Sequence, residues 1–169
     1  EILREEIAGL LAETNIGNDT DFAIPTGKKP YVLMVVGVNG VAATGGFELA
    51  LMGDILLASQ EGRFADTHCR VGLAPGWGLS QKLARIIGPS RAREAHFTAN
   101  FISAQQAADW GLVSRVVASE KLLDECRKVA ADIASCVPET VKLYKQMVND
   151  GLQTDLAAGL VMERNVMTQ

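Results

Sequence analysis

Two glycines and a glutamate at the start of a predicted short helix are the first residues whose types and spacing suit chemistry. Gly45 and Gly46 follow an apolar run, and Glu48 comes next on the same predicted helix. The first amides of a helix lack a partner within the helix and carry partial positive charge, and glycine lets a ligand oxygen approach them closely. Such amides stabilise negative charge on a carbonyl oxygen, with Glu48 nearby as an acid or base. A tight strand-to-helix turn with Glu48 as a favourable first-turn acid is the alternative interpretation.

A second polar cluster precedes a loop rich in glycine and proline. Asp66 and His68 come just before residues 72–78, and loops of this kind position functional groups more often than they fill cores. With only two histidines in the chain, His68 and His96, the sequence does not predict a metal centre. Ser80 lacks the glycine pattern around a serine hydrolase nucleophile. His68 is therefore either an acid or base or a hydrogen-bonded structural residue.

The elements that must position these residues alternate between strand and helix patterns, which predicts an α/β fold. An uncharged β-branched run over residues 31–38 predicts a strand buried on both faces, and residues 39–44 a loop of small residues. Further strands are predicted over residues 54–59, 63–65 and 112–117. Helices are predicted over residues 2–12, 47–52, 79–87, 90–98, 103–110 and 119–135 and from Pro138 to before Gly151.

Composition excludes several classes of protein. The chain has 169 residues, 48% of them hydrophobic and 21% charged, which predicts one ordered domain. A net charge of −4 and 5% aromatic residues argue against nucleic-acid binding. The uncharged residues 30–47 are interrupted by glycines, so we expect no membrane span. Three cysteines without paired spacing predict reduced thiols in an intracellular compartment, and the first residues lack a signal-peptide pattern.

The two glycine-rich segments together resemble the crotonase family, that is, the enoyl-CoA hydratase and isomerase superfamily. The segments that match the family's central signature, in order, are residues 29–30, 39–42, 45–50, 54–55 and 58–59. The segments that match its downstream portion are Phe64, the loop Gly72-x-x-Pro75-Gly76-x-Gly78 and residues 103–117. We therefore expect residues 28–169 to form a partial crotonase-like domain, preceded by a non-matching helix and loop over residues 1–27.

The resemblance implies a ββα spiral core followed by C-terminal helices, in a protein that forms homotrimers or hexamers or is a subunit of a larger complex. It implies an acyl-CoA thioester as the substrate, with no cofactor, no metal, no nucleic acid and no membrane span. The thioester oxygen would be held between two backbone amides, one of them the N–H of Gly45, and Glu48 would be the first catalytic glutamate. The residues implied to contact the substrate are Ala43, Gly46, Leu73, Pro75 and Gly76.

Two departures from the family pattern bear on activity. The second glutamate of the hydratases falls on His68, twenty positions after Glu48, although a histidine also acts as an acid or base near neutral pH. The sequence before Lys28 does not resemble the family's N-terminal half, which supplies the other oxyanion amide and much of the CoA pocket. The predicted activity is hydration of 2-enoyl-CoA thioesters. The alternatives are an accessory subunit with impaired catalysis and an enoyl-CoA isomerase. The expected compartment is the mitochondrial matrix or peroxisome in a eukaryote and the cytoplasm in a bacterium.

Overall fold

Two strand–strand–helix units follow each other along the chain. The computed structural model describes residues 33–167, and the predicted helix over residues 2–12 lies outside them. The first unit consists of β1 (Val35–Val38), β2 (Val41–Ala43) and α1 (Gly45–Ala50). The second unit consists of β3 (Ile55–Ser59), β4 (Arg63–Ala65), a 3₁₀ helix (His68–Val71) and α2 (Leu79–Ile87).

The second unit stacks on the first through parallel strand pairing. β3 pairs with β1, with Leu56 opposite Val36, and β4 pairs with β2, with Phe64 opposite Ala42. Each sheet gains one more strand, because β6 (Arg115–Val117) joins β3 in parallel and β5 (Ile102–Ser103) joins β4 antiparallel. The predicted α/β fold with a ββα spiral core is therefore confirmed.

Aromatic and aliphatic side chains between these layers form the core that fixes α1. Phe47 and Phe64 are both fully buried, and their ring centroids lie 5.3 Å apart in a tilted arrangement. Leu79 and Leu83 of α2 pack in the same cluster. Because Phe47 is anchored in this core, the neighbouring Glu48 is held on the side of α1 that contacts the start of α2.

Helices dominate the later part of the chain. They are α3 (Pro89–Thr98), α4 (Ala104–Asp109), α5 (Leu122–Ala134), α6 (Pro138–Gly151) and α7 (Leu156–Met167). The predicted capping box is present, since the Ser103 side chain accepts from the Gln106 N–H while the Gln106 side chain accepts from the Ser103 N–H. α2 ends before Gly88, as the Gly-Pro pair predicts. None of the helices described is long and apolar enough to cross a lipid bilayer.

Three sequence predictions about these elements were wrong in detail. Residues 41–43, predicted as loop, form β2 because they pair with β4. The first strand is predicted to be buried on both faces. In its described part, β1, only Val38 is buried, because β1 lies at one edge of the sheet that the described residues form. The strand predicted over residues 112–117 begins only at Arg115. A groove also lies between α5 and the start of β1, and the residues that line it include Met34, Leu123 and Ile133.

Candidate active site

Thr44 connects β2 to α1 in a conformation that threonine rarely adopts. Its φ of 53° and ψ of −114° match the first central position of a type II′ turn, where glycine is favoured. Several contacts hold it there. The Thr44 N–H donates to the Ala65 carbonyl over 2.9 Å, and the Thr44 hydroxyl is hydrogen-bonded to the Thr67 hydroxyl. Strain of this kind persists only where the surroundings over-determine it.

The turn leaves two amides at the start of α1 without an acceptor. The Thr44 carbonyl accepts from the N–H groups of Phe47 and Glu48, each over 3.0 Å. Within residues 33–167, no group accepts a hydrogen bond from the N–H of Gly45 or of Gly46. Among the described residues, these two donors therefore have no acceptor, and their use by a ligand oxygen stays a prediction.

Glu48 is buried with one carboxylate oxygen held by the backbone of the next unit. The residue is 4% exposed, and its Oε1 accepts from the N–H of Trp77 over 2.7 Å and of Leu79 over 3.4 Å. Leu79 is the first residue of α2, so Glu48 satisfies an amide that the helix itself leaves unpaired. Glu48 thus caps α2 through Oε1, while its second oxygen, Oε2, accepts no hydrogen bond from residues 33–167.

His68 lies opposite that second oxygen. Its Nε2 is 3.9 Å from Glu48 Oε2, beyond the range of a direct hydrogen bond. On the other side of the ring, Nδ1 lies 2.6 Å from Asp66 Oδ1, and the His68 backbone N–H donates to the same oxygen over 3.1 Å. His68 and Asp66 are both buried. The ring is therefore fixed from behind by Asp66 and presents Nε2 to Glu48.

Asp66 contacts a second histidine as well. Its Oδ2 lies 2.6 Å from Nδ1 of His96 on α3. Burial raises the pKa of Asp66, but the hydrogen bonds from the His68 backbone, the His68 ring and the His96 ring outweigh it, and the pKa lies below its ordinary value. Asp66 is accordingly a carboxylate at neutral pH.

The other residues predicted to contact the substrate are on β2, at the start of α1 and in the loop before α2. Ala43 ends β2 opposite Ala65 of β4. Gly46 and Gly76 are exposed and Pro75 is half-buried. Leu73 is 65% exposed, and its N–H donates to the His68 carbonyl over 3.0 Å. Their roles toward a substrate stay predictions.

The structure adds two residues that the sequence analysis did not assign to the site. The Trp77 ring reaches Gly45, where its Cζ3 would lie 3.8 Å from a Cβ built at that position, although its side chain is 56% exposed. The pairing of His96 with Asp66 has no local signal in the sequence, because it depends on the packing of α3. Cys69, beside His68, is an exposed free thiol. Among the described residues, no group of three or more His, Cys, Asp and Glu side chains is arranged to hold a metal ion.

Comparison with known proteins identifies relatives along most of the chain. The family described as enoyl-CoA hydratase/isomerase matches residues 20–169. An Arabidopsis thaliana protein named "Probable enoyl-CoA hydratase 1, peroxisomal" is 45% identical over 127 residues, which are 75% of this chain and 48% of that protein.

Two solved structures have the same fold. An enoyl-CoA hydratase subunit I from Geobacillus kaustophilus gives a TM-score of 0.77 at 38% identity, over 79% of this chain and 52% of that one. A Thermobifida fusca protein solved in complex with acetoacetyl-CoA gives a TM-score of 0.76 at 29% identity, over 79% of this chain and 52% of that one. The chain thus spans about half the length of each of these three relatives.

Proposed function

The chain belongs to the enoyl-CoA hydratase/isomerase family, and from that membership we propose that it takes part in adding water to 2-enoyl-CoA thioesters. The proposal rests on one observation. In the part of the chain that the structure describes, the N–H groups of Gly45 and Gly46 have no acceptor, and the buried Glu48 follows one turn later on α1. Amides at that position suit a thioester oxygen, and the carboxylate suits a proton transfer next to it.

An acyl-CoA thioester is the substrate class that fits these groups. The Thermobifida fusca relative binds acetoacetyl-CoA, which is itself an acyl-CoA thioester, and the Arabidopsis relative is named an enoyl-CoA hydratase. In this chain the Gly45 N–H would donate to the thioester oxygen. The second donor of the family's oxyanion site would come from outside the part of the domain that this chain matches.

Glu48 and His68 would handle the water. Oε2 of Glu48 and Nε2 of His68 lie 3.9 Å apart, so one water molecule can contact both atoms at ordinary hydrogen-bond distances of about 2.8 Å. The water oxygen bonds to Cβ of the enoyl group while one of its protons passes to the basic member of the pair. The π electrons move to the thioester oxygen as an enolate, stabilised by the Gly45 N–H. The enolate then collapses as a proton from the pair is delivered to Cα, and both residues return to their starting protonation states.

The surrounding loop would form the wall for the acyl group. Trp77 and Leu73 are large apolar side chains, exposed within the described residues and next to Gly45 and His68 respectively. An exposed apolar wall beside polar groups is typical of a pocket that binds the apolar part of a ligand. No cofactor is required by this chemistry. Assembly into trimers or hexamers, and a mitochondrial, peroxisomal or bacterial cytoplasmic location, stay predictions.

Hydration of crotonyl-CoA, followed by the loss of its enoyl-thioester absorbance, tests the proposal in the native assembly of the protein. We expect Glu48→Gln to lower kcat by about 10²- to 10⁴-fold, the usual contribution of a general acid or base. Glu139→Gln, a matched change at an exposed position in the first turn of α6, is the control and should leave kcat unchanged.

Full activity in Glu48→Gln would contradict the role of Glu48. Micromolar binding of an acyl-CoA without turnover would identify a binding subunit, and migration of the double bond without hydration would identify an isomerase.

A further inference from the structure

The site contains a second histidine that the proposed reaction does not use. His96, in the last turn of α3, has its Nδ1 2.6 Å from Asp66 Oδ2, while the Nδ1 of His68 lies 2.6 Å from Asp66 Oδ1. Asp66 is 2% exposed. One buried carboxylate therefore joins two imidazole rings from two different helices, and each of its oxygens is occupied by one ring.

The protonation of the cluster follows from the chemistry of the carboxylate. An ionised aspartate only accepts hydrogen bonds, so both Nδ1 atoms must carry a hydrogen. Each neutral ring then has its lone pair on Nε2. The Nε2 of His68 faces Glu48. The Nε2 of His96 is buried, and nothing in the part of the chain that the structure describes donates to it.

The arrangement also fixes the rotation of the carboxylate. The terminal torsion of an aspartate is soft, with a broad two-fold profile. Here Oδ1 is held by the His68 ring and by the His68 backbone N–H, and Oδ2 is held by the His96 ring. Without His96, Oδ2 would lose its donor, and only the two contacts of His68 with Oδ1 would hold the carboxylate against the His68 ring.

We propose that Asp66 and His96 are positioning residues for proton transfer: Asp66 fixes the Nδ1–H tautomer of His68, and His96 anchors Asp66. A neutral His68 ring then has its acceptor at Nε2, on the side that faces Glu48. This proposal rests on the proposed hydration for its kinetic consequence. The tautomers themselves are independent of any activity.

Because the chain contains two histidines, the tautomer of each ring can be measured directly. We expect ¹⁵N NMR of histidine-labelled protein, the full chain in its native assembly near pH 7.5, to show both rings with hydrogen on Nδ1. His68→Asn, which leaves a single ring, assigns the two signals. A wild-type His68 ring with its hydrogen on Nε2 would overturn the proposal without any variant having to fold.

A matched pair of substitutions at His96 tests the anchor. His96→Asn keeps a donor at the position of Nδ1, whereas His96→Leu removes it. We expect His96→Leu to lower kcat roughly tenfold to a hundredfold, the range for a misplaced catalytic group. The KM should stay within about twofold, and the His68 ring should become a mixture of tautomers. His96→Asn should restore kcat to within about threefold of wild type, since its amide can donate to Asp66.

The outcomes separate this proposal from the proposed function. Normal hydration in His96→Leu, with an unchanged His68 signal, would overturn the anchor while leaving the hydratase proposal standing. Absence of hydration in the wild-type assembly would contradict the proposed function, and the tautomers of the two rings would still test Asp66. A His96→Leu protein that unfolds, together with a His96→Asn protein that folds but has lost kcat, would contradict the role of the donor.

Discussion

Glu48 Oε2 and His68 Nε2 face each other across 3.9 Å, with their other polar atoms held in place. Glu48 Oε1 is occupied by the backbone N–H groups of Trp77 and Leu79, and His68 Nδ1 is occupied by Asp66. A carboxylate and an imidazole are thus fixed so that the one atom of each without a hydrogen bond to residues 33–167 faces the other. This arrangement replaces the pair of carboxylates that the family resemblance implies, and it makes the function of His68 testable.

His68→Asn should separate the structural role of His68 from its chemical role. The asparagine amide can donate to Asp66 from the position of Nδ1, so the fold should be retained, but no atom replaces Nε2. We expect kcat to fall by about 10²- to 10⁴-fold, with little change in the denaturant midpoint. Steady-state hydration kinetics and urea unfolding of the same protein check both parts. A wild-type kcat in His68→Asn would show that His68 has only a structural role.

The Asp66 carboxylate should make the stability of the fold depend on acid pH. Because hydrogen bonds lower its folded-state pKa below its ordinary value, the ionised form is favoured by folding. This stabilisation is fully present above the unfolded pKa of about 3.9 and is lost as the pH falls through the folded pKa. In urea unfolding from pH 6 to pH 2.5, Asp66→Asn should show a shallower loss of stability than wild type. If the free energy of unfolding falls equally with pH in the two proteins, the lowered pKa of Asp66 is contradicted.

Two substitutions at Thr44 should report the strain of the turn. Thr44→Ala loses the hydrogen bond to Thr67 and keeps a Cβ at positive φ, so it should destabilise the fold by about 1 kcal/mol. Thr44→Gly loses the same hydrogen bond but relieves strain of about 1–3 kcal/mol. We therefore expect Thr44→Gly to be the more stable variant in chemical denaturation. The opposite order would show that the Thr44 backbone is not strained.

Trp77→Ala should weaken substrate binding without disturbing Glu48. The Trp77 backbone N–H that donates to Glu48 is retained, and only the apolar ring beside Gly45 is lost. Losing one apolar contact in a pocket typically changes affinity by about 10-fold or more. We expect a raised KM for crotonyl-CoA with kcat close to wild type. An unchanged KM would place the acyl group elsewhere.

Local sequence signals predicted the elements that depend on few neighbours. The end of α2 was predicted correctly from Gly88-Pro89, and the start of α4 from the Ser103–Gln106 capping box. Both signals act within one helical turn. The strand over residues 41–43 could not be predicted, because three residues are too few to show a hydrophobic period. They form a strand only by pairing with β4.

The candidate site divides in the same way. The glycine pair and Glu48 lie within four residues of each other, so their proximity follows from the helix. His96 reaches Asp66 across thirty positions of sequence, and the N–H groups that hold Glu48 come from another unit of the fold. Contacts of that kind depend on packing and have no local signal.

The central claim is that the Gly45 N–H polarises a thioester carbonyl, and infrared difference spectroscopy measures this directly. The probe is a saturated acyl-CoA, labelled with ¹³C at the thioester carbonyl and bound to the native assembly. A protein in which the peptide bond between Thr44 and Gly45 is replaced by an ester is the comparison, because the ester oxygen in place of the N–H removes the donor and adds no atom to the site. We predict that the carbonyl stretch moves to lower wavenumber on binding to wild type, and that the ester-containing protein binds the ligand with a much smaller shift. A bound carbonyl that vibrates as it does in water, or that shifts equally in both proteins, would contradict the account.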